Sequence, residues 1–271
     1  MKQLLSFLVL FTTGTCFAQQ HRLEKIWETD TIVAIPESVL PVGNLLYVSQ
    51  INGGPWIVDG KGGVAKIGRD GKIINLNWVA GLNAPKGLGI YKNRLYAADI
   101  SEVVVIDIQK GKIEKKIAIE NANGLNDITV TDNGIVYVSD SRKNNIWRIE
   151  NDVPSLYLDN IKGVNGLKAI GNELIIGAGK AFIKADAKKQ ITKIADVPQP
   201  IDGIEPVGNG DFIVTAWEGW VFYVKADGSF ETLLETHHLK KNTADIGFDP
   251  VKRIIYVPTF NGKTVAAYRL L

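Results

Sequence analysis

The chain has 271 residues, with 31 Lys and Arg against 29 Asp and Glu and a single Cys. A charge balance this close to zero gives no reason to expect nucleic acid or an anionic membrane surface as a partner. The one Cys, Cys16, falls in the first twenty residues, so the rest of the chain has no disulfide, thiolate metal centre or Cys nucleophile.

The opening "MKQLLSFLVLFTTGTCFAQQ" reads as a secretory signal peptide. Lys2 supplies the positive start, residues 4–11 are apolar apart from Ser6, and Cys16 and Ala18 are small residues at −3 and −1 of a cleavage point. The expected organisation is a leader over 1–18 and one domain over 19–271, exported to the periplasm or the extracellular space. Lipidation at Cys16 is the alternative. No later apolar run approaches the 18 residues that a spanning helix needs.

Beyond the leader, six segments share one pattern of turn residues followed by β-branched or aromatic residues. In chain order they are "NLLYVSQ" (44–50), "NRLYAAD" (93–99), "GIVYVSD" (134–140), "NELIIGA" (172–178), "GDFIVTA" (210–216) and "RIIYVPT" (253–259). Their centres, Tyr47, Tyr96, Tyr137, Ile175, Ile213 and Tyr256, recur at intervals of 38 to 49 residues. Such a period marks a repeat architecture. Each segment follows an apolar strand such as "DITVT" (127–131). It precedes a third strand such as "VVVIDI" (103–108) and a fourth such as "KIEKKIAI" (112–119). Four short antiparallel strands per repeat make a propeller blade. The sixth repeat stops after its third strand, "TVAAYRL" (264–270), while "RLEKIWETD" (22–30) looks like a fourth strand without the other three. The expected fold is therefore an all-β, six-bladed β-propeller whose N-terminal strand joins the last blade and closes the ring.

In a propeller the first strand of each blade lines the central channel. The residue ten or eleven positions before each centre then falls on a ring at one mouth. These residues are Glu37, Lys86, Asn126, Asn165, Asp202 and Asp245. Three carboxylates and two amides crowded together call for a counter-charge. A hard cation such as Ca²⁺, which takes six to eight oxygen ligands, supplies one. The ring has no His or Cys, which argues against zinc or copper. Lys86 is the other candidate counter-charge, as a salt bridge to a ring acid or as a partner for a substrate carboxylate.

Loops between second and third strands open on the same face. They carry Trp56 in "INGGPWIVDGKGGV", Trp217 in "AWEGW" and Phe260 in "TFNGK", candidate walls of a small-molecule pocket. Packing between blades is the alternative for Trp217. His237 and His238 lie in the connection into blade six, where one is a candidate base. Trp27, Trp78 and Trp147 fall on outer or third strands and read as packing. The tripeptide NGL occurs at 123–125 and 165–167. By register Asn165 corresponds to Asn126, so Asn123-Gly124 reads as turn chemistry and Asn165 as a site residue. No GxSxG elbow, HExxH or P-loop occurs.

The stretches "PESVLPVGNLLYVS", "LNDITVTDNGIVYVSD", "VNGLKAI" and "PIDGIEPVGNGDFIV" resemble the senescence-marker-protein/gluconolactonase (regucalcin-like) family, whose superfamily includes the paraoxonases. The resemblance spans the chain after the leader through a few residues per blade. It implies a six-bladed propeller and a metal-dependent lactonase or esterase. It also implies Glu37, Asn165 and Asp202 as metal ligands, and Asn126 as a contact to substrate or to water at the metal. Gly124 stands where the sugar-lactonase members carry an Arg, and the paraoxonase-type His pair has no match.

The expected function is thus an exported, Ca²⁺-dependent hydrolase of a lactone or ester. A small molecule is the substrate, Asp202 or Asp245 the general base, and Lys86 a partner for the substrate's carboxylate or the developing alkoxide. A propeller that binds a ligand or a protein without catalysis is the rival, since fold does not set function.

Overall fold

A computed structural model describes residues 20–271, so the leader expected over 1–18, with Cys16, lies outside the described residues. The described chain forms six four-stranded antiparallel sheets. Blade one is β2 (Pro36–Val42), β3 (Leu45–Gln50), β4 (Gly62–Gly68) and β5 (Ile73–Leu82). Blade two is β6 (Pro85–Tyr91), β7 (Arg94–Asp99), β8 (Glu102–Asp107) and β9 (Lys112–Ala118). Blade three is β10 (Leu125–Val130), β11 (Val136–Asp140), β12 (Asn145–Glu150) and β13 (Val153–Leu158). Blade four is β14 (Val164–Ile170), β15 (Glu173–Ala178), β16 (Ala181–Ala185) and β17 (Ile191–Asp196). Blade five is β18 (Ile201–Gly208), β19 (Asp211–Ala216), β20 (Trp220–Val224) and β21 (Phe230–Glu235). Blade six takes β22 (Gly247–Asp249), β23 (Ile254–Pro258) and β24 (Val265–Leu270), and its fourth strand is β1 (Leu23–Glu28).

The protein is therefore a six-bladed β-propeller closed by its N-terminal strand. β1 runs antiparallel to β24, from Leu23 opposite Leu270 to Glu28 opposite Ala266. Glu28 fastens this seam. Burial works against its charge, but hydrogen bonds from Lys241, Lys25 and Thr264 pull its pKa down to about 2. Closure removes the open strand edges that would otherwise recruit other chains.

The core lies between blades rather than within them. Six apolar clusters fill the six seams. One joins Val39, Leu46, Val48 and Ile67 of blade one to Tyr256, Val265 and Ala267 of blade six. The inner strands are thus covered on both faces and read as near-continuous apolar runs, as in β8, whose Val103, Val104, Val105 and Ile106 are all fully buried. Outer strands such as β9, "KIEKKIA", alternate because one face meets water. Among the described residues no helix is long and apolar enough to cross a membrane.

Candidate functional site

Five of the six innermost strands carry a β-bulge near their start. Pairing skips from Pro36 to Val39, from Pro85 to Leu88, from Leu125 to Ile128, from Val164 to Leu167 and from Ile201 to Ile204. A bulge puts two residues opposite one and re-aims side chains. The skipped residues are the ring positions Glu37, Lys86, Asn126, Asn165 and Asp202, each with its successor. The second strands hold the bulges in place. Ser49, Ser139 and Thr215 accept the backbone N–H of Ser38, Asp127 and Gly203 at 2.9, 3.0 and 2.7 Å. Small hydroxyl residues in "YVSQ", "YVSD" and "IVTA" thus support the mouth.

Blade six departs from the expected register. Gly247 pairs with Tyr256, as Leu40 does with Tyr47, so the position three residues earlier is Ala244. The turn after β22 is longer than the blade-one hairpin, and this shifts the count. Asp245 instead stands level with Ser38, bridged to it in parallel, and Ser38 Oγ donates to its Oδ2 at 2.5 Å. Asp245 therefore belongs one step down the channel rather than on the ring.

At the mouth, Asn165 Nδ2 donates to Asp202 Oδ1 at 3.0 Å and Asn126 Nδ2 donates to Ser141 Oγ at 3.1 Å. With both amide nitrogens engaged, both amide oxygens are left free. Asn126 Oδ1, Asn165 Oδ1 and Glu37 Oε2 are buried with no hydrogen-bond partner. Buried polar atoms almost always have partners, so three such oxygens around one opening make it the candidate site for water or a ligand. Burial is also the main force on the acids. It drives Glu37 well above the usual carboxylate range, reinforced by Asp202. It raises Asp202 to about 8 and Asp245 to about 7. A divalent cation would reverse this by favouring the ionised forms. Two carboxylates and two carboxamide oxygens suit a hard ion such as Ca²⁺. No group of three or more His, Cys, Asp or Glu is arranged to hold a metal among the described residues. Any ion here would therefore depend on the Asn oxygens.

Lys86 does not neutralise the ring directly. Its Nζ donates to the carbonyls of Pro55 at 2.6 Å and Ala84 at 3.1 Å, and among the described residues it forms no ion pair. Burial lowers its pKa to about 8, against the pull of Glu37. Its hold on Pro55 draws the 51–61 loop over the mouth, where Trp56 lies 3.9 Å from Nζ. Trp217 and Phe260 meet edge to face at 5.4 Å, with Trp217 41% exposed. Trp217 is thus exposed rather than buried between blades. His237 stacks on Trp220 at 4.3 Å and is committed to that loop. Trp78 packs on Tyr47 and Trp147 on the seam between blades two and three.

The two NGL copies also differ from the turn expectation. Neither Asn123 nor Gly124 has positive φ; in that loop Asn121 does, at 64°. Gly166 is required by blade packing, since a Cβ there would lie 1.9 Å from the Asp202 carbonyl oxygen. Gly124 instead leaves room for Arg142, whose Cβ and Cγ would be 2.6 Å from an added Cβ.

Taking one inward residue per blade missed the deeper channel. Below the ring a cavity of about 250 Å³ is lined by Asp127, Lys168, Glu205 and Asp245 among others. The signal was present as polar residues, Asp127 within the bulge of "NDI" and Lys168 and Glu205 just past the bulges in "GLK" and "GIE". A larger cavity of about 510 Å³ lies between blades three and four on the opposite face, beside Tyr137, Arg148 and Tyr157. None of the buried unpaired oxygens lines it, so the mouth is the better candidate site.

Fold and geometry thus define a six-bladed propeller with an unsatisfied, oxygen-rich axial mouth. No protein-family model and no curated protein matches the sequence. Among solved structures the chain is similar to a streptogramin B lyase, at TM-score 0.67 and 13% identity, over 93% of this chain and 98% of that one. It is similar to a catalytically inactive virginiamycin B lyase from Staphylococcus aureus with quinupristin, at TM-score 0.65 and 14% identity, over 93% and 100%. It is also similar to a chain of a nidogen/laminin complex, at TM-score 0.66 and 12% identity, over 79% and 85%. At these identities the likeness is one of fold.

Proposed function

We propose that the protein is an exported, metal-dependent hydrolase of a lactone or ester, with a divalent cation, Ca²⁺ by its ligand chemistry, at the axial mouth. The observation that supports this most is the set of three buried, unpartnered oxygens on Glu37, Asn126 and Asn165 beside the Asp202 carboxylate. Glu37, Asn165 and Asp202 would hold the ion, which would polarise the scissile carbonyl and stabilise the oxyanion. The resemblance to the regucalcin-like lactonases points the same way at these positions.

The chain's own residues supply the rest. Asn126, anchored through Nδ2 to Ser141, presents its oxygen to orient an attacking water. Asp245, one step below and oriented by Ser38, is the base. A cation at the mouth would favour its ionised form, and that carboxylate, fixed by Ser38, can take the water's proton. The water's electron pair forms the bond to the carbonyl carbon, and the leaving oxygen departs with a proton. Trp56, Trp217 and Phe260 wall the opening.

The test is a panel of lactones and aryl esters with and without chelator, alongside Asn165→Ala and Asp202→Ala. Chelation should abolish turnover, and each variant should lose at least about 100-fold in kcat/KM. Unchanged turnover in both variants would overturn the mechanism. A metal-free protein inert on the whole panel would favour a non-catalytic binding propeller.

A further inference from the structure

We infer that the mouth selects substrates bearing a carboxylate, held by Lys86 and Arg142 against the ring of Trp56. This rests on the mouth being the substrate site and names the class of substrate that site takes.

The acids and cations at this opening are segregated. Glu37, Asp202 and Asp245 come from blades one, five and six, whereas Lys86 and Arg142 come from blades two and three. Lys86 is only 3% exposed. An ammonium has three N–H donors, and two of them are spent on the Pro55 and Ala84 carbonyls. The third has no acceptor among the described residues. Arg142 lies on the short loop after β11, whose turn is held by Asp140 accepting the backbone N–H groups of Arg142 and Lys143 at 3.2 and 3.0 Å. Its stem lies over Gly124, in space that any larger residue would fill. Its guanidinium carbon is 5.0 Å from the Trp56 ring, the same ring that Lys86 Nζ approaches at 3.9 Å.

Two cations therefore share one indole and lie no more than about 9 Å apart. Neither forms an ion pair among the described residues. Lys86 feels the pull of Glu37 and Asp202, but Arg142 works against its charge, and an anion placed between the two cations offsets that repulsion. The chemistry suits a carboxylate, because guanidinium offers a planar pair of donors and Lys86 a point charge beside it. The indole face then covers the carbon chain that joins the carboxylate to the reacting ester. The Asn126 amide stands between this cationic flank and the oxygen-rich one. It can therefore fix where the carboxylate ends and the ester begins.

Two measurements test this. In the first, hydrolysis of 4-nitrophenyl hydrogen succinate is compared with that of the neutral 4-nitrophenyl butyrate. Arg142→Gln should raise KM for the succinate ester at least tenfold and leave both constants for the butyrate within twofold; Arg142→Lys should fall between. Equal effects on both esters would overturn the proposal. In the second, succinate and neutral succinamide are titrated calorimetrically into the protein in chelator, so that no metal contributes. Succinate should bind at least tenfold more tightly than succinamide. That preference should shrink in 0.5 M salt, as surface electrostatics requires, and vanish in Arg142→Glu. Equal affinities for the two would overturn the proposal. Intact succinate selectivity in a protein inert towards every ester would support it while removing the hydrolase reading.

Discussion

Two levels of the same channel, one to three residues apart along the inner strands, handle polar groups in opposite ways. At the mouth, Glu37, Asn126 and Asn165 keep buried oxygens without partners, and Lys86 forms no ion pair among the described residues. Deeper, Lys168 and Glu205 from blades four and five pair at 2.7 Å. Burial works against the charge on Lys168, but Glu205 beside it raises its pKa. Asp127 accepts the backbone N–H groups of Ile128 and Leu167 at 2.6 and 2.5 Å. Asp127 and the Lys168–Glu205 pair are satisfied by the protein itself and read as structure. The mouth leaves three buried oxygens without a protein partner, which is why the site is proposed there.

The sharpest way to break this contrast is at the deeper level. Lys168→Met leaves Glu205 buried and unpaired, and should cost about 3 kcal/mol in urea unfolding. The channel cavity lets water soften the loss, which places it at the lower end for such pairs. Replacing both partners with apolar residues should recover most of that stability, and activity per folded molecule should change little. A large loss of activity with stability intact would show that the pair belongs to the site.

For the acids of the mouth and for Asp245 just below them the expectation reverses, because stability there should depend on pH and on the proposed ion. The folded state holds Glu37, Asp202 and Asp245 above their unfolded pKa values, up to about 8 for Asp202 and about 7 for Asp245. The native protein therefore keeps protons that the unfolded chain releases, and its stability falls as pH rises from about 4 to about 8. In chelator, Tm should drop between pH 5 and pH 8. Ca²⁺ at about 100 times its Kd should restore about 2.7 kcal/mol, or roughly 5–10 °C, with a larger gain at the higher pH. A Tm indifferent to Ca²⁺ across that range would remove the ion from the mouth.

The smallest effect is expected from Glu37→Gln in chelator. Removing a desolvated carboxylate should raise stability by about 1 kcal/mol at pH 8 while ending the response to Ca²⁺. A loss of stability instead would mean that Glu37 serves the fold.

Much of this molecule is visible along the chain. The period of the six segments marks the blades, and the missing fourth strand of the last repeat marks the closure, because strand order follows directly from alternation and turn residues. The ring positions of blades one to five also follow, since each lies a set distance from a hairpin of ordinary length. Blade six does not follow, because its longer turn moves Ala244 into the position where counting puts Asp245. The deeper residues Asp127, Lys168 and Glu205 were missed for a related reason. Asp127 is the second of two successive residues in its bulge, where alternation leads one to expect a single inward residue, while Lys168 and Glu205 lie on the paired strand three residues past the ring positions.

The sequence by itself therefore determined the fold, its closure and most of the residues facing the axis, because these depend on local periodicity and spacing. Only the tertiary structure decided which polar groups are satisfied. Asn126 and Asn165 carry the same side chain as many surface residues. What distinguishes them is that both amide nitrogens are engaged and both oxygens are buried without a partner. Likewise, nothing near Arg142 in the chain links it to Trp56 and Lys86. That link exists because a ring of blades brings three loops, far apart in sequence, to one opening.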